Sequence, residues 1–129
     1  MTSSILVVED DPHTGATLAA WLRKHDYHVC VAPNGAAGLI AAHVDTPALI
    51  IMDLVMPILE GQQAITALRR DPATANIPII VLSVRADDRS LSDALAAGAN
   101  IYLIKPPDPQ ELLSVVARLL VGEADPATR

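Results

Sequence analysis

The amino-acid sequence predicts an α/β domain in which a parallel sheet is covered by helices on both sides. Three observations lead there. Five short apolar runs, Ile5–Val8, Val29–Ala32, Ala48–Met52, Ile79–Leu82 and Ile101–Ile104, are each closed by polar or turn-forming residues, which reads as buried strand rather than helix. The segments after them carry apolar residues at helical spacing. The chain is 51% hydrophobic yet has no Phe, and Trp21, Tyr27 and Tyr102 are its aromatics. The core must then be mainly Leu, Ile, Val and Ala, which suits β-branched strands under Ala- and Leu-rich helices. Right-handed crossovers of this length make the sheet doubly wound. Ligands of such a sheet bind beyond the carboxyl ends of its strands, where the strand order reverses.

In chain order, the first strand, Ile5–Val8, runs into Glu9, Asp10 and Asp11. Asp11 is placed to cap a helix with Pro12 at its first position, and Leu18, Trp21 and Leu22 give that helix a core face. The second strand ends at Pro33-Asn34-Gly35, after which Ala36, Leu39, Ile40 and His43 form the expected apolar face of helix two. Thr46-Pro47 breaks it. The third strand delivers Asp53 at its carboxyl end, before Leu54-Val55-Met56-Pro57. Gly61 opens helix three, with Ala64, Ile65 and Leu68 inward and Arg69-Arg70 outward, where the helix dipole favours cations. A polar loop over 71–78 leads to the fourth strand and Ser83. Helix four spans roughly 87–97, with Leu91 and Leu95 on one face and Gly98 as its stop. The fifth strand ends in Lys105-Pro106-Pro107, and Asp108-Pro109 starts the last helix, with Leu112, Val116, Leu119 and Leu120 as its buried stripe. Residues 122–129 read as a flexible tail or the start of a linker, leaving 1–121 as one domain.

Composition narrows the function. Nine basic residues against fifteen acidic ones give a net charge of −6 with no basic cluster, so this domain is not expected to bind nucleic acid. A single cysteine, Cys30, excludes an internal disulfide and a Cys-rich zinc site, and it is expected to be a small buried hydrophobe. Neither a signal peptide nor a bilayer-spanning run is evident, which predicts a soluble, cytoplasmic chain. His13, His25, His28 and His43 are scattered and read as surface or packing residues.

Four of the five strands finish in polar residues at one edge: Glu9 and Asp10, Asp53, Ser83, and Lys105. Carboxylates crowded together repel, and either raise a pKa or recruit a cation. Mg²⁺ suits them, because it takes oxygen ligands and retains waters. Lys105, one of two lysines in the chain, faces these acids as a pairing or phosphate-contacting charge.

The segments VVEDDP, IIMDLVMP, VLS and YLIKP, in this order at successive strand ends, resemble the receiver domain of two-component response regulators over about Ile5 to Val121. The resemblance implies a flavodoxin-like, CheY-like (βα)5 three-layer sandwich with strand order 2-1-3-4-5. It implies that Asp53 accepts a phosphoryl group from the phosphohistidine of a sensor histidine kinase or histidine phosphotransfer protein. By the same resemblance Asp10 binds Mg²⁺ directly, Glu9 through water, and Val55 through its backbone carbonyl. Lys105 contacts Asp53 and then the phosphoryl group, Ser83 and Tyr102 form a switch, and Lys105-Pro106 is a cis peptide. The chain would act as a monomer or a phosphorylation-dependent dimer, with the surface of helix four, strand five and helix five reading out to an effector domain or protein. Val84 stands where a smaller residue is usual and is expected to narrow access. Val55 and Arg85 occupy positions that tune phosphoryl lifetime, and an apolar Val55 offers nothing to position a hydrolytic water.

Three rivals were weighed. An aspartate-nucleophile phosphatase resembles Asp-x-Asp at its nucleophile, and Val55 stands where the second acid would be. A flavin carrier needs a phosphate-cradling loop after strand one, where Glu9-Asp10-Asp11 would repel phosphate. A degenerate receiver acting only by protein contact is opposed by the intact set of Glu9, Asp10, Asp53, Ser83 and Lys105.

Overall fold

The sheet is assembled in the order β2-β1-β3-β4-β5 from strands that are all parallel to their neighbours, in a computed structural model describing residues 3–56, 60–84 and 87–121. The strands are β1 (Ser4–Val8), β2 (His28–Ala32), β3 (Leu49–Asp53), β4 (Ile79–Ser83) and β5 (Ile101–Ile104). The helices are α1 (Pro12–Lys24), α2 (Gly35–Asp45), α3 (Gly61–Arg70), α4 (Asp88–Ala97) and α5 (Pro109–Leu120). This is the doubly wound, flavodoxin-like architecture expected, and the reversal of strand order falls between β1 and β3.

Alternation along the strands splits the core into two layers. Ile5, Val7, Leu49, Ile51, Ile80 and Leu82 point to the α1/α5 side, where Leu22, Leu112, Val116 and Leu119 meet them. Leu6, Val8, Ile50, Met52, Ile79 and Val81 point to the opposite side, toward Ala42, Ala64, Ile65, Leu68 and Ala94. Every residue of β3 and β4 is buried, as a strand covered on both faces requires. Their apolar run is thereby explained.

Helix starts follow the cap chemistry. Asp11 accepts from the Thr14 N–H at 3.3 Å with Pro12 in the first turn. Asn34, Asp87 and Asp108 cap α2, α4 and α5 by accepting from the N–H groups of Ala37, Ser90 and Gln110. Glu60 and Gln63 form a reciprocal capping box on α3. Gly98 ends α4 at φ 127°, a conformation L side chains rarely adopt.

The helix faces depart from expectation in four places. In α2 the buried residues are Gly35, Gly38 and Ala42, while Ile40 is 67% exposed and His43 is exposed. A Cβ at Gly38 would lie 2.8 Å from Val8 Cγ2, so α2 sits too close to β1 for a large side chain between them. In α4 Ala94 takes the buried position, and the face carrying Leu91 and Leu95 is exposed at 38% and 43%. In α5 Val115 joins the buried stripe, and Leu120 is only half-buried. Arg69 does not point outward: its guanidinium folds back onto the backbone carbonyls of Ala75, Ile77 and Gly98 and the Asn100 side chain.

Cys30 is exposed, contrary to its reading as a buried hydrophobe. It lies on β2, the sheet edge, where the burial pattern leaves His28, Cys30 and Val31 uncovered. Trp21 is half-buried against the α1/α5-side core, its ring 5.0 Å from that of His25. The positions Pro57 and Arg85 and the segment 122–129 lie outside the described residues. Among the described residues, no helix is long and apolar enough to cross a membrane.

The close approach of α2 to β1 gives a prediction. Gly38→Ala gains roughly 1 kcal/mol of helix propensity, but overpacking against the stiff Val8 side chain costs about 1–3 kcal/mol. The expected outcome is a net loss of about 1 kcal/mol, seen as a lower urea midpoint at unchanged slope. A raised midpoint would show that α2 moves off β1 without cost.

Candidate functional site

Strand register brings the polar strand ends together. Val8 pairs with Met52, Asp53 with Leu82, and Ser83 with Ile104. Glu9, Asp53, Ser83 and Lys105 therefore emerge from neighbouring strands at one edge, and the Lys105 N–H donates to the Ser83 carbonyl at 2.8 Å. Glu9 continues the ladder beyond β1 by donating its N–H to the Ala32 carbonyl at 3.0 Å.

Asp53 is buried, 8% exposed, and its two oxygens face different donors. Oδ1 accepts from the Val55 N–H at 3.1 Å, and Oδ2 faces Lys105 Nζ at 3.2 Å. Glu9 is buried as well; its Oε1 contacts Lys105 Nζ, and its Oε2 accepts from the Asp11 N–H at 3.4 Å. Asp10 is exposed, yet one oxygen each of Glu9, Asp10 and Asp53 lie within 4.8 Å of one another. Partial desolvation, and then the hydrogen bond and charge of Glu9, push the Asp10 carboxyl above its ordinary range. For Lys105 burial favours the neutral amine, but Glu9 and Asp53 together outweigh it and hold the ammonium above its usual value.

The loop behind Asp53 is held by a close contact. The Gly61 N–H donates to the Leu54 carbonyl at 3.0 Å, and a Cβ on Gly61 would stand 2.5 Å from the Asp53 carbonyl oxygen. Only glycine lets α3 start this near the carboxylate. The Lys105–Pro106 peptide is cis. Ser83 is completely buried beside Asp53's strand, and Tyr102 is half-buried against the core on the α2/α3/α4 side. Val84 is 70% exposed and, with Trp21, Lys105, Pro106 and Pro107, borders an apolar cavity of about 540 Å³. Val55 is 39% exposed.

The site residues named from the sequence are thus gathered at one edge, with Tyr102 behind it. Two features were legible only in part. The sequence sets Lys105 against the strand-end acids as a group, and the structure singles out Glu9 as the partner it shares with Asp53, across 96 positions. Gly61 was legible only as a helix start, because its closeness to the Asp53 carbonyl depends on the tertiary path of the loop.

The donor set fits a hard divalent cation. Three carboxylate oxygens converge at a partly exposed edge, and oxygen-only sites with room for water are what Mg²⁺ takes. The arrangement can therefore hold a metal ion among Glu9, Asp10 and Asp53.

Known proteins agree with this geometry. Residues 5–117 match the response regulator receiver domain family. The chain is 36% identical over 118 residues to protein PilH of Pseudomonas aeruginosa, covering 92% of this chain and 98% of that one. The chemotaxis protein CheY4 of Vibrio cholerae superposes with a TM-score of 0.86 at 26% identity, covering 92% of this chain and 98% of the other. The receiver domain of the sensor histidine kinase PA1611 from Pseudomonas aeruginosa, described with a magnesium ion coordinated in its active-site cleft, superposes with a TM-score of 0.88 at 30% identity, covering 95% and 100%. The fold and the acidic strand-end site define a two-component signalling module. This chain belongs to the response regulator receiver domain family, and its architecture is CheY-like.

The raised Lys105 pKa makes a signed prediction for the metal-free protein. The ion pairs contribute fully below the ordinary lysine value, and that contribution is lost as pH rises through the raised folded value. In chelator, the urea midpoint is expected to fall as pH rises past the ordinary lysine value of about 10.4 and on through the raised folded value. In Lys105→Met that part of the fall is missing. An identical alkaline decline in both proteins would remove Lys105 from the stability balance.

Proposed function

We propose that the chain is a phosphoacceptor: Asp53 takes a phosphoryl group from the phosphohistidine of a histidine kinase or histidine phosphotransfer protein. The observation that carries this reading is the pairing at Asp53. One oxygen is held by the Val55 N–H and the other faces Lys105, so the carboxylate is oriented at the end of a buried strand. In the transfer a carboxylate oxygen of Asp53 attacks phosphorus, the phosphorus–nitrogen bond to the donor imidazole breaks, and an acyl phosphate remains. Asp10, Asp53 and the Val55 carbonyl, together with Glu9, would hold Mg²⁺, and the ion would supply positive charge against the incoming dianion and the transition state. Lys105 adds the second positive charge, contacting Asp53 before transfer and a phosphoryl oxygen after it.

The product adds roughly −1.5 to −2 of charge, by analogy with other phosphoresidues. Ser83, at the end of the neighbouring strand, would donate its hydroxyl to the new phosphoryl group, with Tyr102 following. These contacts favour an active state that the resting protein samples less often, and the surface of α4, β5 and α5 carries the change to a partner or to a second copy. The reading is of a switch whose only chemistry is its own phosphorylation and dephosphorylation. Val55, standing where a phosphatase of similar mechanism has its second acid, supports it. Its acidic balance and absence of basic clusters support protein partners in the cytoplasm rather than nucleic acid.

Mg²⁺ with a small acyl-phosphate donor is expected to add one phosphoryl group, read by intact mass, and Asp53→Asn is expected to abolish the gain. Retention of the mass gain in Asp53→Asn would sink the assignment. Phosphoryl lifetime is a second test, because Val55 cannot position water. Val55→Asn is expected to shorten the half-life of the phosphorylated form severalfold; an unchanged half-life would count against a role for this position.

A further inference from the structure

Remote from the site, the Arg69 side chain makes five hydrogen bonds. Its Nε donates to the Gly98 carbonyl at 3.0 Å and its Nη2 to the same oxygen at 2.9 Å. Nη2 also reaches Asn100 Oδ1 at 3.0 Å, while Nη1 donates to the carbonyls of Ala75 and Ile77 at 3.0 and 2.6 Å. All five N–H donors of the planar fork are thereby placed, each in a fixed direction. The acceptors are not of one segment. Ala75 and Ile77 belong to the loop entering β4, Gly98 is the C-cap of α4, and Asn100 leads into β5.

The Gly98 end of α4 is locked from several sides. Its carbonyl takes two charged donors, and a cation at a helix C-terminus meets the negative end of the dipole. Gly98 itself sits at φ 127°, and a Cβ there would stand 2.6 Å from Arg69 Cγ. Asn100 clasps Ile79 twice, donating its N–H to the Ile79 carbonyl at 2.9 Å and accepting the Ile79 N–H on Oδ1 at 2.8 Å. The buried residue of α4, Ala94, lies one turn from this end. The other end is different. Residues 88–93 are all exposed or half-buried, and they follow the segment that leaves the site at Ser83.

We propose that Arg69 is a pivot: it fixes the C-terminal end of α4 to β4 and α3, so that α4 responds to events at Asp53 by tilting about Gly98 rather than by sliding as a whole. The tilt follows from unequal anchoring. Little apolar burial holds the first two turns of α4, whereas two charge-assisted bonds to the Gly98 carbonyl and a glycine conformation hold its C-cap, and the same guanidinium is tied to Ala75, Ile77 and Asn100. A displacement that enters at the Ser83 end meets a fixed point at Gly98, and its amplitude falls to zero there. Arg69 is a positioning residue in this scheme, and the link to Asp53 rests on the phosphoacceptor reading.

Residue-resolved amide exchange on the full chain tests the anchoring without any phosphodonor. The N–H groups of Leu91, Gly98, Ala99 and Asn100 all have backbone acceptors, so their exchange reports opening rather than a missing bond. Protection is expected to rise by about tenfold or more from Leu91 to Gly98–Asn100. In Arg69→Met the protection of Gly98, Ala99 and Asn100 drops by about tenfold while Ile51 and Val81 keep theirs, and Arg69→Lys recovers part of the loss. A flat or reversed gradient in the parent protein overturns the pivot, and does so even if Arg69→Met fails to fold. Unchanged exchange at 98–100 in a folded Arg69→Met overturns it too. Adding Mg²⁺ and beryllofluoride, a phosphoryl mimic, is expected to shift the amides of Ser90 and Leu91 but not those of Gly98–Asn100. Equal shifts at both ends refute the tilt. Absence of any shift, even beside Asp53, counts against the phosphoacceptor reading instead and leaves the pivot to be decided by the exchange gradient.

Discussion

The ammonium of Lys105 between Glu9 and Asp53 is the contact on which the site depends. Two carboxylates buried side by side repel by an amount on the order of 4 kcal/mol at 4 Å and an effective dielectric of 20. A lysine whose head touches both carboxylates offsets that repulsion. The contact exists because β3, β4 and β5 end side by side in register. The sheet therefore supplies the geometry, and the single cation supplies the compensating charge. Neither is sufficient alone.

That dependence explains why the site was legible from the sequence to the degree it was. Asp53, Ser83 and Lys105 each terminate an apolar run, and parallel strands must bring such termini to one edge. Asp11 followed by Pro12, and Gly after α4, carry their conformational reasons locally. What was hidden depends on distances between elements. Ile40 looks like a core residue by its spacing in α2, but Gly38 lets that helix press on Val8, and the large side chains are turned outward. Arg69 looks like a dipole-complementing surface residue, but its acceptors lie in segments 6 to 31 positions away. Cys30 looks apolar and small, yet it sits on the edge strand, and nothing in its neighbours says which strand is the edge.

The two faces of the sheet are built differently. On the α1/α5 side, Leu22, Leu112, Val116 and Leu119 interlock with strand residues of similar size, and each is buried. On the other side α2 buries only glycine and alanine, with Leu39 half-buried against the core, and α4 buries Ala94 alone among its residues. Apolar burial contributes roughly 25 cal/mol per Å², so a helix that buries an alanine is held far less tightly than one that buries two leucines and two valines. Compliance is therefore concentrated in α4.

A helix with so little buried surface still needs a reference point, or its displacement would carry no direction. Cores transmit small movements because packed elements have discrete arrangements rather than a continuum of them. In this chain the discreteness at α4 comes from polar geometry instead of packing. The planar fork of Arg69 admits one arrangement of its four acceptors, and Gly98 admits one local path of the backbone. A change at Asp53 can then be expressed as rotation of a weakly packed helix about a strongly bonded end. Burial holds α5, hydrogen bonding holds one end of α4, and under the proposed pivot the difference between them is what would let α4 turn.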